Sequence, residues 1–534
     1  MTFRLAVPKT QHRYLQLLFL LPLTAIAAWF WATPILAQNN SLSSTAKIAQ
    51  MRSRDRAKDR ATVELKLTDV VQLVIQNNRE LKNSYLSRIV ERQQLAEAEG
   101  KFSPTVTPNF SVSVNESLSS EPSFEDDFDG INSDFAEASV EDSREDTNFT
   151  DDLIDNFDDS DFERSLQIGV ELLTPLGTNI TLTTDPISDF EVIGLEVRQP
   201  LMRGAGTKVN RASVTSARLT DKRQVLELKQ TLIDRITEGV KAYRSLIQAQ
   251  EEVRIRQQSL ASRRQDLQIQ IALVKAGRRA RADLVQLRSS VAAAEEQLVS
   301  AINTRTQANA DLLEIIDTNL NLNIFIPQES IQALTNRNLF RPVETNRKDL
   351  LQQAYTHRPD YLQANLDVKI ARLDLIEPKD NRRWQLDAVS NLNLGDSSQA
   401  IAGLELTQTL GDRSLKTAFE TARVEILQRQ NDLRESRETV RIEVNRQVTN
   451  VNSNLAQIEK ARRAKEFAQE RLRIVRELYR QGRGGVDIFE VTSQQDEVVE
   501  AQNSELNAAI DYLNARTDLQ QSLGMTLNNW QKYY

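Results

Sequence analysis

The residues of this chain best suited to chemistry sit in two short turns, and the chemistry they suit is electrostatic. One turn reads "AGRRARADLVQL" and gathers Arg278, Arg279 and Arg281 ahead of Asp283. The other reads "YRQGRGGVDIFEV" and sets Tyr479, Arg480 and Arg483 ahead of Asp487 and Glu490. Guanidinium groups pair with carboxylates and backbone carbonyls, and an Asp opening a helix satisfies N–H groups that have no intrahelical partner. Bond-making chemistry has little to work with. The 534 residues include no cysteine, which removes thiol catalysis, disulfides, c-type haem and cysteinyl metal sites. The only histidines, His12 and His357, lie far apart in the sequence, so no histidine cluster, triad or zincin motif can be assembled. No catalytic, cofactor-binding or metal residue is assigned, and no cofactor is expected. A carboxylate enzyme such as a glycosidase stays open in principle, but 6% aromatic residues offer little surface for stacking sugars.

The elements that carry these turns occur twice. The stretch Leu273 to Leu298 returns as Leu478 to Leu506, and "SARL" (Ser216 to Leu219) returns as "TARV" (Thr421 to Val424). Such duplication marks a unit that stacks on its copy to bury its apolar face. Each copy begins with a helical pattern, Leu67 to Gly100 in the first and Leu350 to Asp380 in the second. Proline is absent between Pro200 and Pro327 and after Pro378. Leu226, Ile233, Val240 and Ile247 recur every seven residues, with Ile236 and Tyr243 set between them. Leu284, Leu287, Val291, Ala294, Leu298 and Ala301 alternate by three and four, as do Val444, Val448, Val451, Leu455 and Ile458. These are coiled-coil seams. An arm from about Gly206 to Ala276 reaches on the order of 100 Å at the helical rise, so each hairpin is expected to be a rod.

Between the helical patterns lie period-two alternations: Phe110, Val112, Val114; Leu166, Ile168, Val170, Leu172; Ile193, Leu195, Val197; Leu392, Leu394; Leu404, Leu406. A soluble sandwich would alternate in the same way. Small polar residues on the second face, and too few local strands for an independent core, favour a membrane barrel. A hairpin that leaves a sheet and returns on one side implies an even number of strands per copy. Two per copy gives four per chain, too few to close a barrel of about eight or more, so several chains must share one. An additional hairpin around "TPLGT" (Thr174 to Thr178) is expected to protrude as a flap, since Asn179 to Thr184 is short beside the ~9 to 11 residues of a spanning strand.

The N-terminus has Arg4, Lys9 and Arg13, an apolar run from Tyr14 to Trp31, and "ATPILAQNN". That is the order of a secretory signal ending at Ala37; the alternative is an uncleaved anchor. The organisation expected is a signal at 1–37, a flexible basic tail at 38–63, a first repeat at 64–326, a linker at 327–346, a second repeat at 347–524 and a C-terminal tail at 525–534. The first repeat alone holds an acidic segment, 116–163, with nineteen acidic residues against one basic, Arg144. Its charge and poverty in packing residues predict a solvated loop. Calcium binding near Gly130 is disfavoured because the twelfth position of an EF-hand reading is Ala136.

The tandem organisation, "RQPLMRGAGTKVNRASVTSARL" (Arg198 to Leu219) and the paired turns together resemble the TolC-type outer-membrane efflux protein family, from about Leu67 to Gly524. The resemblance implies a mainly α chain with membrane β-barrel strands. Its long antiparallel coiled-coil hairpins would form a shared α-helical tunnel continuing into a trimeric outer-membrane barrel of about twelve strands. It implies the exit duct of a tripartite efflux or type I secretion system, working as a homotrimer in the outer membrane with a periplasmic adaptor and an inner-membrane transporter. No enzymatic activity or nucleic-acid partner is implied. It also implies a gate at the hairpin tips, where Asp487 and Glu490 match the acidic positions, Arg483 the basic one and Tyr479 the aromatic one, with Asp283 at the counterpart turn. Carboxylates gathered on a threefold axis would attract cations; for both aspartates the plain alternative is helix capping. Arg278, Arg279, Arg281 and Arg480 are the expected adaptor-docking residues. A periplasmic coiled-coil adaptor or scaffold is the competing reading, although an adaptor normally has one such hairpin.

Overall fold

A computed structural model describes residues 62–114, 162–184, 193–277, 279–318, 322–334, 339–343, 346–394, 398–482 and 485–530. The expected signal, the basic tail up to residue 61 and all of the acidic segment except Phe162 and Glu163 lie outside these residues; Thr62 and Val63, expected in the tail, belong to a strand. The described chain opens with β1 (Thr62–Glu64), α1 (Leu67–Asn77) and α2 (Arg79–Glu99), followed by β2 (Thr105–Val114), β3 (Phe162–Leu173), β4 (Asn179–Thr184) and β5 (Ile193–Pro200). The first rod is α3 (Ala212–Lys275) and α4 (Arg281–Ile316), after which β6 (Asn323–Phe325) pairs in parallel with β1. Then come α5 (Arg347–His357), α6 (Pro359–Asp374), β7 (Gln385–Leu394), β8 (Gln399–Thr407), and the second rod, α7 (Arg413–Gln481) and α8 (Ile488–Ser522). Both halves therefore run through a helix pair, antiparallel strands and a long helical hairpin.

Each single helix expected at the start of a half is a broken pair, for a local reason. Asn78 adopts φ −55°, ψ 126° and its side chain accepts from the N–H groups of Glu80 and Leu81, so it ends α1 and caps α2. In the second half Pro359 opens α6 and holds Arg358 extended at ψ 118°, which ends α5. The rods follow the expected seams. Ile233, Val240 and Ile247 are buried on α3, and Val444, Val448, Val451 and Ile458 on α7. At 64 and 69 residues, α3 and α7 measure about 96 Å and 104 Å at the helical rise. Gly239 is where α1 crosses α3, since a Cβ there would meet the Val74 side chain at 2.9 Å.

The two rods lie side by side, joined by polar contacts. Arg244 of α3 is buried and donates to Leu513 O (2.8 Å), Thr517 Oγ1 (2.8 Å) and Asn514 Oδ1 (3.1 Å) of α8. Burial, aided by the charge of Arg516 and opposed by Asp518, pushes the Arg244 guanidinium down to about 10. Lys241 pairs with Asp518 at 2.5 Å, and Gln521 donates to Asp234 at 2.7 Å.

The linker and the C-terminal tail each contain a short helix. That of the linker spans Gln328–Leu334. The C-terminal stretch forms a helix at Thr526–Trp530, whose Leu527 and Trp530 pack on a cluster of Val71, Leu81, Leu232, Ile236 and Val240 in the first half.

The main sheet has six strands in the order β2-β3-β4-β5-β7-β8, all neighbours antiparallel. The expected two strands per half hold for β7 and β8 but not for the first half, which supplies four. The protruding-flap reading is likewise corrected, because β4 is hydrogen-bonded to β3 on one side and β5 on the other along its whole length. No helix among the described residues is long and apolar enough to cross a membrane.

Candidate aperture at the hairpin tips

Glycines make both tips possible. Gly277 (φ 71°) follows α3, and Gly482 (φ 67°) and Gly485 (φ 66°) follow α7; the left-handed conformation ends a helix and turns the chain back. Beneath the turns the two rods share an apolar plug of Leu287 from α4, Val475 from α7 and Ile488 and Val491 from α8, with Leu267, Tyr479 and Val486 packed against it. This plug fixes the tips of the two hairpins against each other.

On it stands a chain of polar contacts. The Arg279 guanidinium lies over the Tyr479 ring, 4.3 Å from the centroid, and its Nη2 donates to the Tyr479 carbonyl at 2.7 Å. The Tyr479 hydroxyl donates to Gln270 Oε1 at 3.0 Å, and Gln270 Nε2 donates to Asp283 Oδ2 at 3.0 Å. Burial raises the Tyr479 phenol above its ordinary value and the Arg279 charge works against it. One turn further from the tip, Asp266 accepts from Gln495 (2.5 Å) and Arg476 (3.4 Å), and Arg263 forms an ion pair with Asp496.

Of the residues singled out in the sequence, Tyr479, Arg279 and Asp283 are thus gathered into one latch. Asp487 is the N-cap of α8, its Oδ1 accepting from Glu490 N at 2.9 Å. Its carboxylate and that of Glu490 are exposed, as are Arg281 and Arg480. Arg278 and Arg483 lie outside the described residues. Arg279 differs from expectation, because its guanidinium is engaged with Tyr479 within the chain rather than standing free. Gln270 and Arg263, both buried, escaped the sequence reading. A signal existed: Leu260, Arg263, Leu267, Gln270 and Val274 continue the three-and-four spacing, so two polar residues occupy seam positions where they fix register.

The geometry agrees with known proteins. Residues 174–317 match the family model described as outer membrane efflux protein. The fold is similar to the Campylobacter jejuni CmeC outer membrane channel at TM-score 0.59 and 14% identity, covering 88% of this chain and 89% of that one. It is similar also to the open state of the Neisseria gonorrhoeae MtrE outer membrane channel (TM-score 0.61, 14% identity, 86% and 89% covered). The outer membrane protein VceC of Vibrio cholerae gives TM-score 0.59 at 13% identity, with 86% and 96% covered. The chain has the fold of a TolC-type outer-membrane efflux protein. No curated protein matches the sequence significantly. The tips described above stand at the far end of the rods from the sheet.

Proposed function

We propose that this chain is the outer-membrane exit duct of a tripartite efflux or type I secretion system, assembled as a trimer whose copies share one barrel and one helical tunnel. The observation that carries the reading is an open sheet, apolar on one face and with β2 and β8 at its edges, joined at one end to two rods of about 100 Å. An open sheet of this kind needs further strands to close. Apolar side chains exposed along α7 and beyond its tip, among them Phe467, Ile474 and Phe489, are covered when copies pack side by side. The rods then continue the barrel axis across the periplasm. Their tips meet an adaptor and an inner-membrane transporter, with the exposed Arg281 and Arg480 as docking residues.

At the aperture, Asp487 and Glu490 of three copies present a ring of carboxylates that favours cations, while the Arg279–Tyr479–Gln270–Asp283 contacts hold the second hairpin against the first. Opening requires that hold to be released. An adaptor or scaffold is disfavoured by the pairing of two rods with a sheet apolar on one face.

The full-length protein, purified from outer membranes, is expected to run as a heat-sensitive oligomer and to conduct ions in planar bilayers. A soluble periplasmic monomer without conductance would overturn the proposal.

A further inference from the structure

The sheet has two more strands than the helical plan needs, and their placement is informative. The strand register runs one apolar row from edge to edge: Val106, Val170, Leu182, Leu195, Leu392 and Ala400. The adjacent row, on the other face, is Thr107, Gly169, Thr183, Gly194, Asn393 and Gln399. The alternation thus passes through β3 and β4 unbroken, and Leu182 stands in the same apolar row as residues of β5 and β7.

The shortness of β4 does not set it apart. Thr184 pairs with Ile193, and Ile193 with Leu394, so β4, β5 and β7 end on one row. The turn between β3 and β4 is clamped at the helical end of the sheet rather than projecting from it. Gly206 N donates to Leu176 O at 3.0 Å, and Thr178 Oγ1 donates to Gln199 Oε1 at 2.5 Å. A Cβ on Gly177, which has φ 94°, would lie 2.4 Å from Gly204 O, so the turn sits directly on the junction that leads into α3.

Building on the channel reading above, we infer that the β3–β4 hairpin is part of the membrane wall, so that each chain lines the pore with six strands and three copies close a barrel of eighteen. Strands about 4.8 Å apart and tilted about 40° each occupy about 6.3 Å of circumference, giving a backbone diameter of about 24 Å for twelve strands and about 36 Å for eighteen. Sheets of the larger size leave an aqueous channel when their inward side chains are polar. The inward row here is threonine, glycine, asparagine and glutamine. The outer-membrane mouth is therefore a wide water-filled conduit, uncharged in this row and bordered on the helical side by a row of the same face that carries Glu171 and Glu196. It suits bulky hydrated cargo, and the narrowing that selects or gates is left to the helical tips.

The native chain contains no cysteine, so single-cysteine labelling is clean. The experiment compares Leu182→Cys with Thr183→Cys on β4, using full-length protein in outer membranes and both a membrane-impermeant maleimide and a lipid-soluble one. Leu392→Cys and Asn393→Cys on β7 serve as the reference pair, and Val170→Cys with Gly169→Cys on β3 repeats the test if a β4 variant fails to assemble. The expected result is loss of impermeant labelling at Leu182 and Val170, with retention at Thr183 and Gly169, matching the β7 pair. Alternation on β7 with equal impermeant labelling at both positions of β4, or of β3 where a β4 variant fails, overturns the wall assignment and leaves the channel reading standing. Absence of alternation on β7 as well overturns both.

Discussion

In the first half a buried tyrosine, Tyr243 of the outgoing helix α3, donates its hydroxyl to Leu65 O at 3.2 Å. In the second half the corresponding anchor is Tyr512 of the returning helix α8, which donates to Arg341 O at 2.7 Å and accepts from Arg341 N at 2.9 Å. Both tie the segment that leads into a helix pair to the middle of a rod, yet from opposite arms. The arms also differ in cover. Along α3 the large apolar side chain left exposed is Ile269, whereas α7 exposes Val424, Leu427, Ile442, Phe467 and Ile474. The outgoing helix of the first rod is thus roofed by this chain's own helices, and that of the second leaves an apolar flank exposed. The first half supplies the helices that cover α3 and four of the six strands of the main sheet, and the second supplies the more exposed outgoing helix and the glycine-rich tip.

The strongest test of that division is truncation of the two anchors. Tyr512→Ala and Tyr243→Ala should each cost about 3–5 kcal/mol, read as a drop in the thermal midpoint of the purified oligomer. The phenylalanine variants separate them. Tyr512→Phe leaves both the N–H and the carbonyl of Arg341 without this partner and should cost about 1–3 kcal/mol, against about 1 kcal/mol for Tyr243→Phe. Equal losses would mean that the two anchors are equivalent after all.

At the tips, Arg279→Ala removes the stacking and the carbonyl hydrogen bond that join the hairpins, an effect of about 1–2 kcal/mol. It should raise single-channel conductance, while Arg480→Ala should leave conductance unchanged. If both variants behave alike, the latch has no part in closure.

Asp487→Ala should cost about 1 kcal/mol through the lost helix cap. Asp487→Asn keeps an accepting oxygen and removes the charge. A loss of cation preference in both variants, with stability reduced only in the alanine one, assigns the carboxylate to the aperture as well as the cap. Unchanged ion preference in both would confine Asp487 to capping.

The smallest effect separates the hairpins by pH. Burial raises the Glu505 carboxyl of α8, but Lys465 and Arg462 of α7 outweigh it and hold the group below its usual value. A folded carboxyl that releases its proton more readily than an unfolded one stabilises fully above the unfolded glutamate value of about 4.3. That stabilisation is lost as the pH falls through the lower folded value. Glu505→Gln should therefore flatten the acid side of the stability profile by less than about 1 kcal/mol. An unaltered profile would remove this pair from the second hairpin's stability.

Much of the architecture was legible because helix and strand periodicity are local. The heptads through Ile233, Val240 and Ile247 and through Val444, Val448 and Val451 marked the rods, and glycine beside arginine marked where they turn. The break at Asn78 was missed, because an asparagine inside a helical pattern shows its capping role only once its own backbone leaves the helix. The latch was half legible: Tyr479, Arg279 and Asp283 were chosen for their types, but their meeting depends on two hairpins about two hundred residues apart in sequence lying tip to tip. Gln270 stands at a seam position, but its bonds to Tyr479 and Asp283 form only where the two hairpin tips meet.

By itself the sequence determined the period of each segment, the absence of thiol and clustered-histidine chemistry, and the presence of two long helical hairpins with glycine at their turns. Periodicity and composition act over a few residues, so they survive without knowledge of the fold. Tertiary structure alone decided which strands are neighbours. Alternation says that Leu182 and Leu195 each face one way, but it cannot say whether β4 stands alone or between β3 and β5. That depends on hydrogen-bond register, and on the turn at Gly177 being seated against Gly204 and Gly206. Only the three-dimensional arrangement turned an apparent flap into an inner strand of the sheet.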